Sequence, residues 1–365
     1  MPATNQAERR ELRDAVRAFL ETAYPPISSE SRVGAGAKLD DAVWRRLANE
    51  VALTGLVVPE KYDGQGLGVT EAVIALEETA RVLFAQPFLT SSVLATLAIK
   101  ESGDEAAAGE LLPQLASGAL VATLALDDAA DAADAAVTAS EVGGQWQLTG
   151  AKNPVLDGAV AAKLVVSAAV GGSVGLFLVD ASAASVTSHE GLDVTRGVAS
   201  VSFSGAPAVR LGGDATTLVA RLRDLSAVAA SAELTGLADR ALVLAVDYAK
   251  QREQFGRVIG SFQAVKHICA EMLTVVESSR AACAAAALAA DDDPAALPQT
   301  ASIAKAWTSE QCVTATEQLI QVLGGIGYTW EHPAHLLLRR AHTLAALFGD
   351  AAEHRARLAG QLQLS

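Results

Sequence analysis

The sequence predicts a mainly helical protein with a small β domain in its middle. Apolar residues recur with helical spacing through residues 1–118 and again through 213–365, whereas 119–212 holds short β-type runs separated by glycine turns. The composition agrees, since 51% of the residues are hydrophobic but only 4% are aromatic, as expected of closely packed helices. We therefore expect three units with these boundaries.

The charge of the chain argues against several classes of partner. It carries 42 acidic and 28 basic residues, which gives a formal net charge of −14 at pH 7. A surface of this sign does not suit a nucleic-acid groove or an anionic membrane, so we expect neither partner. The first residues form no apolar signal segment, and charges interrupt the alanine-rich runs. A cytoplasmic location without a membrane span is therefore expected.

The cysteines predict neither a disulfide nor a metal site. Cys269, Cys283 and Cys312 fall within predicted helices, where an odd number of thiols on apolar faces indicates a reducing compartment. No CxxC, HExxH or clustered His and Cys pattern occurs in the sequence. We therefore predict no bound metal.

The first unit reads as a series of short helices. The pair Pro25-Pro26 ends the first helix, and Asp41 begins the second. Besides the helix from 41, the expected helices cover residues 5–23, 70–83, 91–101 and 105–116. Between them, Gly64, Gly66 and Gly68 form a GxGxG run that would suit a phosphate. Because this run does not follow a strand, a tight connection between helices is the preferred interpretation.

The middle unit has the texture of a β domain. The run from Gln145 to Thr149 alternates polar and apolar side chains, as a half-exposed strand does. Glycine pairs such as Gly143-Gly144 and Gly171-Gly172 mark turns between strands. The expected strands cover residues 120–126, 145–149, 164–167, 174–179 and 198–203.

The connection between two long predicted helices of the last unit holds an unusual combination of residues. A helix over 227–248 leads into Arg252, Gln254 and Phe255, and a second amphipathic helix follows. A link between packed helices has no need of an arginine beside an exposed phenylalanine. A guanidinium that binds phosphate and an aromatic ring that covers a planar ligand would account for both. The alternative is a surface ion pair of Arg252 with a neighbouring carboxylate, Glu253 or Asp247.

This connection resembles the signature of the acyl-CoA dehydrogenase family, which reads R-x-Q-F-G, then an aliphatic residue, then S-F-Q. In that family, the signature reaches across a dimer interface to the adenosine and pyrophosphate of the neighbour's FAD. The resemblance implies a fold with an N-terminal helical domain, a small β-barrel domain and a C-terminal four-helix bundle. The matching residues are Arg252, Gln254, Phe255, Gly256, Ile259 and Gln263.

A second element supports the resemblance. Gln321, Gly324 and Gly325 stand in a stretch similar to the family's Q-x-x-G-G-x-G-[YF] element, which meets the FAD pyrophosphate of the other subunit. Glycines allow a backbone to approach phosphate closely. The alternative is a helix C-cap with a left-handed glycine, and both can hold at once. The helix that precedes this element, with Ser302 to Trp307, is expected only to pack.

The family's catalytic base is missing from its two usual positions. The family removes the proton α to the thioester carbonyl with a glutamate near the C-terminus, where this chain has Phe348 before a glycine. The family's other position for the glutamate is occupied by Ser226. The carboxylates Asp224, Glu233 and Asp350 lie nearby in the sequence and stay open as substitutes, provided that one of them reaches the substrate.

Two segments that hold the flavin of the chain itself also depart from the family. The T-E-P-x-A-G-S-D loop corresponds to Leu126–Asp134, where four carboxylates would repel phosphates and a solvated loop is expected. The K-x-W-I-T-N-G segment corresponds to Lys152–Gly158, which lacks both the ring-stacking tryptophan and the flavin-bonding threonine.

The residues that serve a neighbour's FAD are thus kept, while the base and the residues for the chain's own flavin are lost. This asymmetry resembles the base-lacking subunit of actinobacterial heteromeric acyl-CoA dehydrogenases that act on steroid or cholesterol side-chain CoA thioesters. The resemblance implies FAD, an acyl-CoA substrate, a homologous partner subunit, and an electron-transfer flavoprotein as electron acceptor. The alanine-rich stretch 279–290 is the expected contact with the partner. The alternatives are a self-sufficient homo-oligomer that uses Asp350 or Glu233 as base, and a catalytically silent scaffold.

Overall fold

The computed structural model describes residues 5–24, 34, 38–126 and 135–361. Helices α1 to α10 span Gln6–Ala23, Asp41–Val51, Val69–Arg81, Thr96–Glu101, Glu105–Ala116, Thr216–Gln251, Gln263–Asp292, Leu297–Leu323, Ala334–Ala346 and Ala351–Gln361. Strands β1 to β9 span Ala122–Ala125, Val137–Val142, Gln145–Leu156, Lys163–Val170, Ser173–Asp180, Ser185–His189, Val198–Leu211, Glu253–Gln254 and Arg257–Val258. The predicted class, mainly helical with a β domain in the middle, is confirmed.

The chain divides into two compact units that are built from segments far apart in the sequence. One comprises Met1–Val33, Val73–Phe84 and Ala227–Ser365, and the other Gly34–Ala72 and Ala85–Ser226. Helices α3 and α6 each pass from one unit to the other. The division at residues 118 and 212 stays a prediction, because these units do not follow the order of the chain.

The β strands of the second unit close into a barrel. Strand β3 pairs with β2 and β7, β7 with β5, β5 with β4, and β4 with β2, which completes the ring. Alternate residues point inward and form an apolar core that includes Leu148, Phe177 and Phe203. Strands β1 and β6 extend the sheet beside β4 and β7.

Three predictions for this unit need correction. Strands β2 and β6 were not expected, and their residues are mostly polar and exposed because each strand has one solvated face. Strands β3 and β7 run well beyond the predicted 145–149 and 198–203, since antiparallel pairing continues through two bulges. The predicted helix over 91–101 begins as a π-helix, Phe88–Ala95, before α4.

The GxGxG run is a tight connection, as the sequence suggested. A Cβ on Gly64 would lie 2.1 Å from the carbonyl oxygen of Val58, so no other residue fits there. The amide of Gly66 donates to the same carbonyl oxygen at 2.8 Å. The backbone amides of this segment thus fold back on their own loop, where the glycines are needed for packing.

The compact unit that includes Val73–Phe84 and Ala227–Ser365 has an ionic centre that the sequence did not suggest. Glu77 and Glu78, on α3, are buried, and arginines from three other places on the chain surround them. Arg13 donates to Glu78 at 2.7 Å and to Glu77 at 2.8 Å. Arg280, on α7, donates to Glu77 at 2.6 Å, and Arg17 donates to Glu78 at 2.9 Å. These contacts tie α1 and α7 to α3.

Helix α7 is long and apolar enough to cross a membrane by length and composition alone. Its most apolar 18-residue window has a mean hydropathy of 1.3, and 39% of that window is buried within the chain. Because this criterion tolerates charged residues, the expected absence of a membrane span stays a prediction. Core helices of soluble proteins meet the same criterion, and α7 carries Arg280, which forms an ion pair with Glu77 of α3.

Candidate cofactor-binding site

The first site element is a hairpin between α6 and α7. Strand β8 (Glu253–Gln254) pairs with β9 (Arg257–Val258), and Phe255 and Gly256 form the turn with φ values of 54° and 75°. Positive φ at both central residues is typical of a type I′ turn, where asparagine and glycine are usual and phenylalanine is strained. The Phe255 side chain is 92% exposed. An exposed aromatic residue in this strained turn contributes nothing to the hydrophobic core, so core packing does not explain its presence.

Arg252 lies at the base of this hairpin, directly after the last residue of α6. Its amide donates to Tyr248 O at 2.8 Å, and its carbonyl accepts from the amide of Ile259 at 2.8 Å, which closes the hairpin. The guanidinium is exposed. Within the described part of the chain it forms no ion pair with Glu253 or Asp247, so the surface ion pair proposed as an alternative does not occur.

The other predicted residues of the signature lie beside the hairpin. Gln254 is exposed on β8, and Ile259 is half-buried in the 3-10 turn before α7. Gln263 is the first residue of α7, and its side-chain nitrogen Nε2 lies 2.9 Å from Nε2 of His267. Phe262, just before Gln263, packs edge-on against Phe255 with ring centroids 6.1 Å apart. Sequence reasoning did not assign Phe262 to the site, although its place in the S-F-Q triplet would have indicated it.

The second site element ends α8. Gln321 is exposed in the last turn, and Gly324 and Gly325 follow, also exposed. A Cβ on either glycine would meet nothing within 4 Å, so the space above this backbone is open. Gly324 has φ 67° and ψ −141°, a conformation restricted to glycine but different from the left-handed C-cap that the sequence suggested.

The two elements lie at the same end of a helix pair. The side chain of Gln318, one turn before Gln321 on α8, donates to Glu271 Oε2 on α7 at 3.2 Å. Glu271 is two turns after Gln263. Because α7 and α8 run antiparallel, the start of α7 and the end of α8 meet at this end.

The position expected for a base holds a half-buried phenylalanine in a tightly held turn. Phe348 and Gly349, between α9 and α10, have φ values of 61° and 86°. The ammonium of buried Lys305 donates to Gly349 O at 2.8 Å and to Ala345 O at 3.0 Å. His354 Nε2 lies 2.9 Å from Phe348 O. Burial lowers the pKa of Lys305 to about 8, with Asp350 and Glu353 opposing that shift.

Each of the three carboxylates considered as a substitute base already has an interaction partner within the chain. Asp350 accepts from the amide of Glu353, and Glu353 accepts from the amide of Asp350, each at 2.9 Å, which is a capping box at the start of α10. Asp224 and Glu233 are buried and have partners. Ser226 is buried and donates to Leu222 O within its helix at 2.7 Å.

The segment that corresponds to the flavin-stacking tryptophan and threonine lies at the end of β3. Pro154 and Leu156 stand at these two positions, and the Asn153-Pro154 bond is cis. Lys152 is buried with its Nζ 3.2 Å from Ser167 Oγ, and Asp157 is buried and accepts from Thr90 at 2.7 Å. A proline cannot replace an indole stack or a hydroxyl donor. The acidic loop expected over Leu126–Asp134 lies outside the described residues, apart from Leu126 itself.

The comparisons with known proteins identify the family. The model of the acyl-CoA dehydrogenase N-terminal domain matches residues 6–119, and that of the C-terminal domain matches residues 220–363. The chain is 31% identical to the acyl-CoA dehydrogenase IpdE2 of Mycolicibacterium smegmatis over 97% of its own length and 99% of that protein. It is 34% identical to FadE34 of Mycobacterium tuberculosis over 96% of its own length, although it spans only 47% of that protein.

Two solved structures are similar over nearly the whole chain. The Tcur3481-Tcur3483 steroid acyl-CoA dehydrogenase is 30% identical, with a TM-score of 0.87 and 98% of each chain covered. The ChsE4-ChsE5 complex of Mycobacterium tuberculosis is 28% identical, with a TM-score of 0.89 and full coverage of both chains. Together with the identity to IpdE2 over nearly the whole length, these matches show that the chain belongs to the acyl-CoA dehydrogenase family.

Proposed function

We propose that this chain is one subunit of a heteromeric, FAD-dependent acyl-CoA dehydrogenase. It contributes groups that hold the adenosine and pyrophosphate of FAD, while a homologous partner subunit supplies the catalytic base. The complex converts an acyl-CoA thioester to the trans-2-enoyl-CoA. The observation that carries this proposal is the contrast between the exposed hairpin with Arg252 and Phe255 and the phenylalanine, Phe348, at the position expected for a base.

The exposed residues of the two site elements fit a dinucleotide. The Arg252 guanidinium is solvent-accessible and unpaired, as a group that binds pyrophosphate in a bidentate manner must be before the ligand arrives. The open space above Gly324 and Gly325 admits phosphate oxygens to their backbone. The Phe255 ring offers an exposed face to a planar base. FAD, when bound, accepts the hydride from the β-carbon of the substrate.

The residues that would serve a second flavin on this chain do not fit. Pro154 and Leu156 stand at the stacking and hydrogen-bonding positions, and neither offers a donor to a flavin. Phe348 cannot accept the α-proton. This chain keeps only the residues proposed to contact the FAD of a neighbouring subunit. It therefore needs a partner that supplies both the residues for its own flavin and the base, which favours a heteromer over a homo-oligomer.

Relatives support the substrate class of the proposal. One similar protein is the Tcur3481-Tcur3483 steroid acyl-CoA dehydrogenase. Another similar structure is that of the ChsE4-ChsE5 complex. We therefore propose a bulky, steroid-type side-chain CoA thioester as substrate, and an electron-transfer flavoprotein as the acceptor of the electrons.

The self-sufficient enzyme is the second candidate, and a silent scaffold is the third. The buried carboxylate Glu233 and the exposed Asp350 are the bases that a self-sufficient enzyme would use. Asp350 is committed to the capping box of α10, and Glu233 is shielded from solvent. Both features disfavour proton abstraction from a substrate, because a base must reach the α-carbon within hydrogen-bond distance.

Flavin content and turnover of the purified chain separate the three candidates. We expect a chain that is colourless and inactive alone, and a yellow, active complex after co-expression with a homologue that keeps the glutamate. Asp350→Asn and Glu233→Gln should leave the turnover of that complex nearly unchanged. A loss of about two orders of magnitude in kcat from either variant is what removal of a general base causes, and it would refute the proposal. A complex that stays inactive would indicate the scaffold.

A further inference from the structure

The segment after the Gly324-Gly325 element forms an exposed surface of basic and aromatic residues. We call Tyr328, Trp330, His332, His335 and Arg339 the basic-aromatic patch. Tyr328 is 76% and Trp330 is 53% exposed, unusual values for large aromatic side chains. The His335 ring packs edge-on against Trp330 with centroids 4.4 Å apart, and the Arg339 guanidinium lies 5.6 Å from the centre of the Trp330 ring.

The positive charges of this patch are not neutralised within the chain. Among the described residues, no carboxylate forms an ion pair with Arg339, or with Arg240 of α6, whose charge acts on His332. The exposed Glu331 forms none either. Arg240 Nε and His335 Nε2 are buried without a hydrogen-bond partner. The chain has a net charge of −14, yet among the described residues no carboxylate forms an ion pair with this basic cluster.

The electrostatics of the cluster agree with this geometry. Burial and the charge of Arg240 lower the pKa of His332. Burial, Arg339 and His332 lower the pKa of His335. Burial also lowers the pKa of Arg240, against the attraction of Asp247, which is too far away for an ion pair. The basic groups thus repel one another, and a carboxylate from outside the chain would relieve that repulsion.

We propose that the basic-aromatic patch, together with Arg240, whose charge acts on His332, is a docking surface for an acidic segment of the partner subunit, whose carboxylates pair with Arg339 and Arg240. Tyrosine, tryptophan and arginine are the residues that dominate binding energy at protein interfaces, which favours a protein occupant over a free anion. The patch also continues directly from Gly324 and Gly325, the element proposed to meet the FAD of the partner. The inference rests on the proposed function, because it takes the homologous subunit as the occupant.

Charge reversal in the patch tests this docking surface. In Arg339→Glu, the new carboxylate would face the acidic segment, so the dissociation constant of the complex should rise about ten- to a hundredfold. The matched control is Arg46→Glu, an exposed arginine of α2 whose ion pair with Glu50 is local, and it should leave the affinity unchanged. The affinity of the wild-type complex should also fall with added salt. The measurement is titration of the purified chain with the homologous subunit that restores activity.

A second variant separates docking from folding. Arg240→Met removes an uncompensated, mostly buried charge, so the free chain should melt at the same or a higher temperature while the complex becomes weaker. If Arg240 had a merely structural role, its replacement would lower the melting temperature.

Unchanged affinity in both variants would overturn the docking surface and leave the proposed function intact, since flavin content and turnover would persist. Stabilisation of the free chain by excess inorganic phosphate, combined with unchanged affinity, would assign the patch to a free anion instead. A wild-type chain that binds no homologous subunit would refute the proposed function itself.

Discussion

At the scale of single residues, two phenylalanines occupy turns whose backbone conformation is unfavourable for that residue type. Phe255 and Phe348 both adopt positive φ, which costs a non-glycine residue about 1–3 kcal/mol. Each is followed by a glycine with positive φ. Phe255 is exposed on the hairpin, whereas Phe348 is half-buried and its carbonyl contacts His354. The exposed ring of Phe255 is free to cover a ligand, as the proposed function requires, and Phe348 lies where the family resemblance implies a base.

Lys305 should make the stability of the chain depend on pH in the alkaline range. Its pKa falls from an ordinary 10.5 to about 8 because it is buried. Between these two values the unfolded chain binds more protons than the folded chain, so this group makes stability rise with pH there. Lys305→Met removes the hydrogen bonds to Ser309, Ala345 and Gly349 and should lower the free energy of unfolding by about 2–5 kcal/mol at pH 7.

Denaturant unfolding of both proteins at pH 7 and at about pH 9.5 measures this effect. The difference in unfolding free energy between wild type and the Lys305→Met variant should grow towards the higher pH. Lys266→Met, an exposed lysine of α7, is the matched control and should show no such trend. A difference that stays constant or shrinks with pH would mean that the lysine is not buried as a titrating cation.

At the scale of elements, helix periodicity was a reliable guide and strand content was not. Helix α5 has the predicted bounds of 105–116, and α1 and α3 begin within a residue of their predicted starts, whereas α6 begins at Thr216, well before the predicted 227. Strands β2 and β6 escaped prediction because an exposed strand beside a barrel needs few apolar residues. The ionic centre around Glu77 also escaped, since its arginines lie 64 and 203 residues away in the sequence.

Glu77 should make the chain sensitive to acid. Burial raises its pKa, but the hydrogen bonds and charges of Arg13 and Arg280 outweigh burial and hold the pKa below the ordinary 4.5. A depressed carboxylate pKa contributes stability above the unfolded value, and this contribution is lost as pH falls through the folded value. Glu77→Gln should therefore destabilise the chain by about 1–3 kcal/mol at pH 7.

Acid unfolding curves of wild type and the Glu77→Gln variant test this linkage. The two stabilities should converge below pH 4.5, where the wild-type carboxylate takes up its proton. Glu50→Gln, which breaks an exposed ion pair with Arg46, serves as control and should leave stability nearly unchanged at either pH, because solvent screens this pair. Curves that stay parallel down to acid unfolding would contradict the ionic role of Glu77.

The alanine-rich stretch 279–290 of α7, the expected contact with the partner, has one face buried within the chain and one face exposed. Ala286 is fully buried within the chain, whereas its neighbour Ala285 is exposed. Ala286→Glu should unfold the chain, because it buries an unpaired carboxylate. Ala285→Glu should leave the melting temperature nearly unchanged and should weaken assembly if this face meets a partner.

Size-exclusion chromatography with light scattering, beside thermal melts, distinguishes the two alanine variants. The prediction for α7 fails if Ala285→Glu assembles as well as the wild type does. The structure is needed to tell Ala285 from Ala286, because the sequence alone does not show which of two adjacent helical positions faces the core.

At the scale of the whole molecule, hydrophobic periodicity predicted the order of helical and β segments, whereas only the family resemblance implied that the strands close into a barrel. Closure depends on the pairing of β2 with β4 and of β5 with β7, contacts between distant strands that periodicity does not encode. The candidate site shows the same division. Arg252, Gln321 and the glycines were identified as candidate FAD contacts from the sequence, whereas the strained turn at Phe255 and the basic-aromatic patch around Arg339 required the structure.

The retention of flavin by the complex tests the central claim that this chain donates FAD-binding groups. A charge-assisted hydrogen bond to phosphate contributes about 1.5–3 kcal/mol, so Arg252→Ala should weaken FAD retention roughly ten- to a hundredfold. Arg252→Lys should recover only part of it, since an ammonium lacks the planar fork. Arg46→Ala is the control. Flavin absorbance per unlike pair of subunits, measured after desalting, should fall in Arg252→Ala while the assembly persists. Stoichiometric FAD in that variant complex would contradict the account.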